Sequence, residues 1–532
     1  MRAGAARSVS RQAAPRPSHQ RQTIDRPRPK VVAGGAFTGR GLNGVVPRPA
    51  AVLVLSVVAL WESRGRAEEP TELPMPPERL ILQRPAWLDD SVDDGDEDAA
   101  RPPDKDGVPV LRSGYKTTKR ETLPGMYPEN LGIYDGLGFW AGTADRSYVL
   151  RISGFGHLDS RYTSESADGG GEYAMFWRRA RITIDGRFLG NFEYRVMFDN
   201  LIDPLEPYDF HLDWRPIHEF NVRVGGFKSP FGLERRARSY ALLFIERGFP
   251  TSLAPNRELG IFTYGQTQNG FFSYELAAVS GAPDLEVDFS LSQTPDFAGR
   301  IYLQPFRLLP ELTALKYLGV GFSWTLGKEF GDANDPRITA TRSQARRSRF
   351  AGQRLFQLIN DDEASVVAAG QRDRQSVQAH WHHRQFNTFF EWVRSAQRVA
   401  KIDESGTLAS GTIANQAWQI VGSVSLNPDD ENTFFGVTPT RPFAPAKGDW
   451  GGGTVSLRYQ ELHIDSNAFP IFADPDNAVT LARAVASSFQ WHINRHLELQ
   501  TDIEWIFPRG GAAGGANKAT EFSAMTRIEL RY

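Results

Sequence analysis

The sequence contains no cysteine. That excludes disulfides, thiol nucleophiles and Cys–zinc sites together, and it suits an exported protein indifferent to the redox state of its compartment. Charge bias is also missing: 61 Lys and Arg against 63 Asp and Glu leave a net charge of −2, so no overall field marks a nucleic-acid binder. No apolar run reaches the ~20 residues of a transmembrane helix, and the mean hydropathy of −0.40 excludes a polytopic helical membrane protein. A membrane β-barrel survives these exclusions, because only alternate residues of its strands face lipid. Aromatics and glycine are plentiful, with 34 Phe, 15 Tyr, 12 Trp and 49 Gly.

The one continuous apolar stretch is "AAVLVLSVVALW", Ala50 to Trp61. Its length fits the h-region of a secretory signal, with Arg48 before it and a cleavage site after Ala67 in "GRAEE". Residues 1–49 carry nine Arg and one Lys against one acid, an unusual leader for such a signal. The expected translation start is near Val45 or Val46, a genuine basic extension being the alternative, and the expected mature start is near Glu68. Residues 1–67 are read as leader plus signal peptide, 68–139 as an acidic, Pro-rich periplasmic linker containing "LDDSVDDGDEDAA", and 140–532 as the main domain. The acidic run lacks the spacing and glycine of a calcium loop.

From about Tyr148 onward the chain alternates. "NFEYRVMFD" sets Phe192, Tyr194, Val196 and Phe198 against Glu193, Arg195, Met197 and Asp199. "YDFHLDWRP" sets Tyr208, Phe210, Leu212 and Trp214 against Asp209, His211, Asp213 and Arg215, and "FNVRVGGF" sets Phe220, Val222 and Val224 against Asn221 and Arg223. "SFQWHINRHLELQTDIEWIF" reads as two strands joined at Asn494–Arg495. The last residues, "MTRIELRY", place Ile528, Leu530 and Tyr532 opposite Arg527, Glu529 and Arg531. Period-2 alternation of apolar and fully charged faces needs oil on one side and water on the other. Segments of ~10 residues suit a tilted strand crossing a bilayer, whereas sandwich strands run to about five or six. Short connections (Gly186–Gly190, Ile217–Glu219) and long ones (Ser229–Glu258, Gly327–Gln375, Lys401–Ala414) complete the pattern of periplasmic turns and extracellular loops. The expectation is all-β: a transmembrane antiparallel barrel of about sixteen strands, closed by the strand that ends on Tyr532.

Several stretches resemble the phosphate-selective porin O and P family. They are "FWRRARITIDG" (Phe176–Gly186), "VRVGGFKSPFGLE" (Val222–Glu234), "FIERGFP" (Phe244–Pro250), "APNRELGI" (Ala254–Ile261), "FAGRIYLQPF" (Phe297–Phe306), "RPFAPAKGDWGGG" (Arg441–Gly453) and "WHINRHLELQTDIEW" (Trp491–Trp505). The resemblance covers roughly residues 140–532. It implies an outer-membrane barrel, usually a homotrimer, that passes small anions such as phosphate or polyphosphate, meets outer-membrane lipid and is inserted by the barrel assembly machinery, which would read Tyr532 and its strand as a signal. It implies no cofactor, no nucleic acid and no enzymatic activity. Basic residues of the lumen are the expected anion-binding set: Arg179, Arg181, Arg195, Arg215 and Arg223 by parity, Lys228 entering the long loop, and Arg235, Arg236 and Arg238 within it. Residues 175–238 nonetheless hold eleven basic and nine acidic residues, and Glu193, Asp199, Asp209 and Asp213 also point inward by parity, so a general diffusion porin is the alternative. Arg178 has outward parity and is expected to snorkel at the rim beside Trp177.

Other motifs carry less. "AHWHHRQF" offers His380 and His382 as a metal pair, but beside a turn they are read as solvent-facing. The "DDE" at Asp361–Glu363 and Asp429–Glu431 falls in connections, and "GGAAGGAN" (Gly510–Asn517) lacks a phosphate-loop context. A barrel enzyme or autotransporter would need a catalytic cluster or a passenger domain. A secreted soluble β-rich binding protein would need no detergent for extraction.

Overall fold

The computed structural model describes residues 138–532 and the short strand Arg112–Ser113, apart from 144–146, 166–170, 200–205, 291–293, 310, 343–351, 362 and 434–435. The signal segment, its leader and most of the acidic linker lie outside the described residues. Sixteen strands build the barrel: β1 (Val149–Thr163), β2 (Glu172–Phe188), β3 (Phe192–Asp199), β4 (Glu206–Trp214), β5 (Asn221–Lys228), β6 (Arg257–Gln266), β7 (Phe272–Val279), β8 (Asp296–Leu303), β9 (Gly319–Phe330), β10 (Ser365–His383), β11 (Phe386–Asp403), β12 (Gly406–Ser425), β13 (Gly452–His463), β14 (Val479–His492), β15 (Leu497–Ala512) and β16 (Glu521–Arg531). Each pairs antiparallel with its successor. β16 returns to β1, running from Ser523↔Thr163 to Arg531↔Phe155. Closure satisfies the backbone in a medium that offers no water. Beyond the seam, Tyr532 N–H donates to Gly154 O at 3.0 Å, and Gly154 N–H donates to Tyr532 O at 2.9 Å.

Burial follows the alternation. In β16, Arg527 and Glu529 are 1% and 4% exposed, while Ile528 and Leu530 are 42% and 55% exposed. The same inside–outside alternation runs through β3, β5, β14 and β15. β-Bulges reset it locally. Between β1 and β2 the register steps at His157/Leu158, so that His157 faces Arg179 and Leu158 faces Trp177, leaving Arg178 as the extra residue. A second step at Met197/Phe198 between β3 and β4 turns Tyr208, expected on the outer face, into the lumen. Gly225 adopts φ 131° where β5 passes β4; a Cβ there would sit 2.1 Å from Phe210 O.

The connections correct one expectation. Residues 401–414 are not a long loop: β11 and β12 run on as a hairpin turned at 404–405. Nor do the two ends of the barrel divide cleanly into short and long connections. The end carrying Tyr532 holds the short turns 189–191, 384–385 and 493–496, but also 304–318 and 426–451. The opposite, extracellular end holds 229–256, 331–364 and 464–478. The wall is uneven as well, with strands of 8 to 10 residues from β3 to β8 and of 18 to 20 residues at β11 and β12.

Candidate pore constriction

The loop 229–256 runs inside the barrel. Irregular backbone there has no ladder to join, so its polar groups need partners from the wall. Those partners are long polar side chains on inward positions. Glu391 of β11 accepts from Leu233 and Glu234 N–H at 2.6 and 3.3 Å. Gln460 of β13 accepts from Phe249 N–H at 2.7 Å, and Asp502 of β15 from Ile245 N–H at 2.6 Å. Gln490 of β14 donates to Leu242 O at 3.0 Å, and Arg531 of β16 donates to Tyr240 O at 2.9 Å. From the near side, Lys228 Nζ donates to the carbonyls of Arg236 and Ala237 at 3.0 and 3.1 Å. The loop is thus stapled to strands on opposite sides of the lumen.

Arginines of β1, β2 and β16 face its middle. Arg161 Nη2 reaches Glu246 Oε1 of the loop at 2.5 Å, and Arg178 Nε reaches the same oxygen at 3.0 Å. Arg178 does not snorkel outward: the bulge points it inward, where it is 9% exposed. Arg527 makes a two-pronged contact with Asp159 at 2.7 and 2.9 Å, and Arg161 shares that carboxylate. Arg179 Nη1 lies 3.3 Å from His157 Nδ1. Burial works against ionisation of Glu246, but Arg178, Arg161, Arg179 and Arg527 outweigh it and hold the carboxyl well below its ordinary value.

The other expected residues all face the lumen, most of them on carboxylates. Arg181 contacts Asp199 at 2.8 Å, Arg195 contacts Asp185 at 3.1 Å and Arg223 contacts Asp213 at 2.6 Å. Arg215, a quarter exposed, contacts Glu193 at 2.5 Å, and Arg236 contacts Glu275 at 2.8 Å. Arg235 donates to Thr251 O at 2.5 Å, and Arg238 to the Tyr240 hydroxyl. Below the loop lies a cavity of about 70 Å³ whose wall includes Arg151, Arg181, Arg195, Lys228, Arg238, Arg257 and Arg531 with Asp185 as the one acid. A water needs at least ~10–15 Å³ on this measure, so several waters or one small oxyanion fit. Sequence reading had not placed Arg151, Arg161 or Arg257 in the site. Arg527 and Arg531 were on the water side by parity, and β16 closure puts them beside β1.

Two further features depart from expectation. His380 and His382 are not solvent-facing: they are 1% and 8% exposed, beneath the connection 304–318. His380 contacts the Tyr302 hydroxyl, and His382 stacks on Tyr317 with centroids 4.3 Å apart. The lumen is also not polar throughout. Leu355, Phe356 and Leu358 of the loop 331–364 pack with Phe231, Phe249 and Leu253 of the first loop, with Phe472 of 464–478, and with Val366, Val399, Ile413, Leu462, Val479 and Ile506 of the wall. No group of His, Asp and Glu side chains able to hold a metal occurs among the described residues.

No curated protein matches the chain. Among solved structures, the outer membrane channel DcaP of Acinetobacter baumannii aligns with TM-score 0.45 and 11% identity, over 74% of this chain and 99% of that one. An anion-selective porin from Comamonas acidovorans aligns with TM-score 0.42 and 10% identity, over 72% and 100%. OmpT of Vibrio cholerae, in its trimer form, aligns with TM-score 0.42 and 7% identity, over 73% and 100%. The sequence model of one family, phosphate-selective porin O and P, matches residues 152–502. With a closed sixteen-stranded wall and a loop folded across its lumen, the chain belongs to that family and is an outer-membrane porin.

Proposed function

We propose that the barrel is a passive channel that prefers small anions of the phosphate class, and that it works as a homotrimer packed through its low wall. The observation that carries the preference is the cavity below the loop, where seven basic side chains face one acid. Arg151 and Arg195 share Asp185, whereas the partners of the others, Asp199 for Arg181, Asp209 for Arg257, and Glu498 and Glu529 for Arg531, do not line that cavity. A passing anion therefore meets guanidinium edges first, in a constriction where charge is poorly screened. The extensive Arg–carboxylate pairing favours the second reading, a diffusion porin without selectivity.

Single-channel recording with ion substitution separates the two. Arg238→Ala, at the cavity wall, should shift the reversal potential toward cations. Arg235→Ala, which removes a contact within the loop to Thr251 O, and Arg236→Ala, which releases the loop from Glu275 of β7, should raise conductance more than they change selectivity. A wild-type channel with no anion preference, unchanged by Arg238→Ala, leaves the unselective porin.

A further inference from the structure

The outer surface of the barrel is two-sided. Among the described residues, the outward positions of β16 and of β1 to β8 carry no charge. Tyr162, Tyr173, Trp177, Leu212, Val224, Ile261, Leu276, Phe297 and Ile301 stand there, each more than a third exposed. The outward positions of β9 to β15 are apolar in their lower part, up to Trp392, Trp418, Tyr459 and Trp505, and above that level they become charged. Lys328, Arg394, Arg398, His463, Arg483 and Arg509 stand there with only Asp373 and Glu461.

The upper band has a built part. On β13, Glu461 accepts from the Tyr459 hydroxyl at 2.6 Å, lies 2.8 Å from His463 Nε2 and takes Arg483 Nε of β14 at 2.9 Å. Register sets His463, Leu481 and Arg509 side by side on three strands, with Arg483 directly opposite Glu461. His463, Arg483 and Arg509 thus surround Leu481 on the outer wall. Glu461, 12% exposed at its side chain, holds the Nε edge of the Arg483 guanidinium, while the Arg483 side chain remains 55% exposed. Trp418 and Tyr459, with centroids 5.4 Å apart, mark the level just below, where amphipathic rings favour the edge of the hydrocarbon. Basic groups immediately above such a belt stand among lipid headgroups.

We propose that the outer wall of β13 to β15 is a binding site for a phosphorylated glycolipid of the outer leaflet, whose phosphates are taken by Arg483 and Arg509, with His463 at the rim. Charge complementarity names the occupant. An excess of basic groups, confined to one face and one level, fits a headgroup with more than one phosphate better than a zwitterionic lipid or a protein. The site lies outside the pore and faces away from the uncharged low wall.

The test uses the full chain purified in detergent. Diphosphorylated lipid A, monophosphorylated lipid A and phosphatidylglycerol are titrated while the loss of the heat-modifiable barrel is followed. Wild type should be protected most by the diphosphorylated lipid. Arg483→Gln with Arg509→Gln should weaken that protection about thirtyfold, the ~2 kcal/mol of two basic residues near an anionic surface. The control Arg441→Gln, on a 64% exposed side chain at the other end, should leave it unchanged. Equal protection by phosphatidylglycerol at matched charge would reduce the site to generic attraction and overturn the proposal, as would a double variant that binds like wild type. Conductance, read in parallel, should be unaffected by the double variant, so failure here is distinguishable from failure of the porin reading.

Discussion

Glu246 shows how one residue can hold the constriction. It is the loop's acidic contact with Arg161 and Arg178, and both guanidiniums are almost fully enclosed. Removing one partner of a buried pair costs about 3–5 kcal/mol, largely because the remaining charge stays buried. Glu246→Gln should therefore loosen the loop, seen as noisier and larger conductance steps and a lower temperature for loss of the folded band on gels, while Glu246→Asp retains most of the contact. A variant indistinguishable from wild type would move the latch elsewhere. The pH dependence follows from the depressed carboxyl. Its contribution is present above the ordinary value of 4.5 and is lost only as pH falls through the lower folded value. The conductance difference between wild type and Glu246→Gln should accordingly be flat between pH 7 and 5, and a difference that titrates inside that window would exclude Glu246 as the latch. Arg178 itself was not legible in the sequence. Parity counts residues, and a bulge inserts one; its placement is decided by Glu246 across the lumen, far away in sequence.

The three extracellular connections act together through the apolar cluster they share. Phe356 is 3% exposed and Leu355 fully buried, both on the loop 331–364. A Phe→Ala change in a packed core typically costs about 3–5 kcal/mol. Phe356→Ala should release that loop from the wall, raising conductance and opening 331–364 to protease in intact cells, with the barrel itself still assembled. Unchanged conductance and unchanged cleavage would mean that the cluster does not restrict the pore. Such a cluster escapes a reading in which every inward position is assumed to meet water, because Val366, Val399 and Ile413 then look like breaks in the pattern. The hairpin over 401–414 was missed for a related reason. Above the lipid nothing apolar bathes the outer face, so "KIDESGTLASGTIA" loses its alternation while the strands continue. Inside the bilayer, where solvent differs on the two faces, β3, β5, β14, β15 and β16 were readable residue by residue.

Closure of the barrel depends on the chain's last strand. Tyr532 exchanges two backbone hydrogen bonds with Gly154 and leaves its ring 41% exposed toward lipid. Tyr532→Asp places a charge at that boundary and should reduce the amount of heat-modifiable barrel in membranes, whereas Tyr532→Phe should not. Equal amounts from both variants would show that the terminal ring is dispensable for assembly. The uneven wall has a consequence for what the cell's surroundings encounter. From Arg394, at the level of the headgroups, β11 climbs to Asp403 before turning at 404–405. At ~3.3 Å per residue and a tilt near 40°, that is roughly 20 Å of sheet above the lipid, accompanied by β10 as far as Ser365↔Ile402 and packed through Val399 and Ile413 on the loops. Antibodies, phage and proteases therefore meet this protein first at the Ser-, Thr- and Gly-rich tip of that sheet, and an epitope grafted there should be readable on living cells without touching the passage through the membrane.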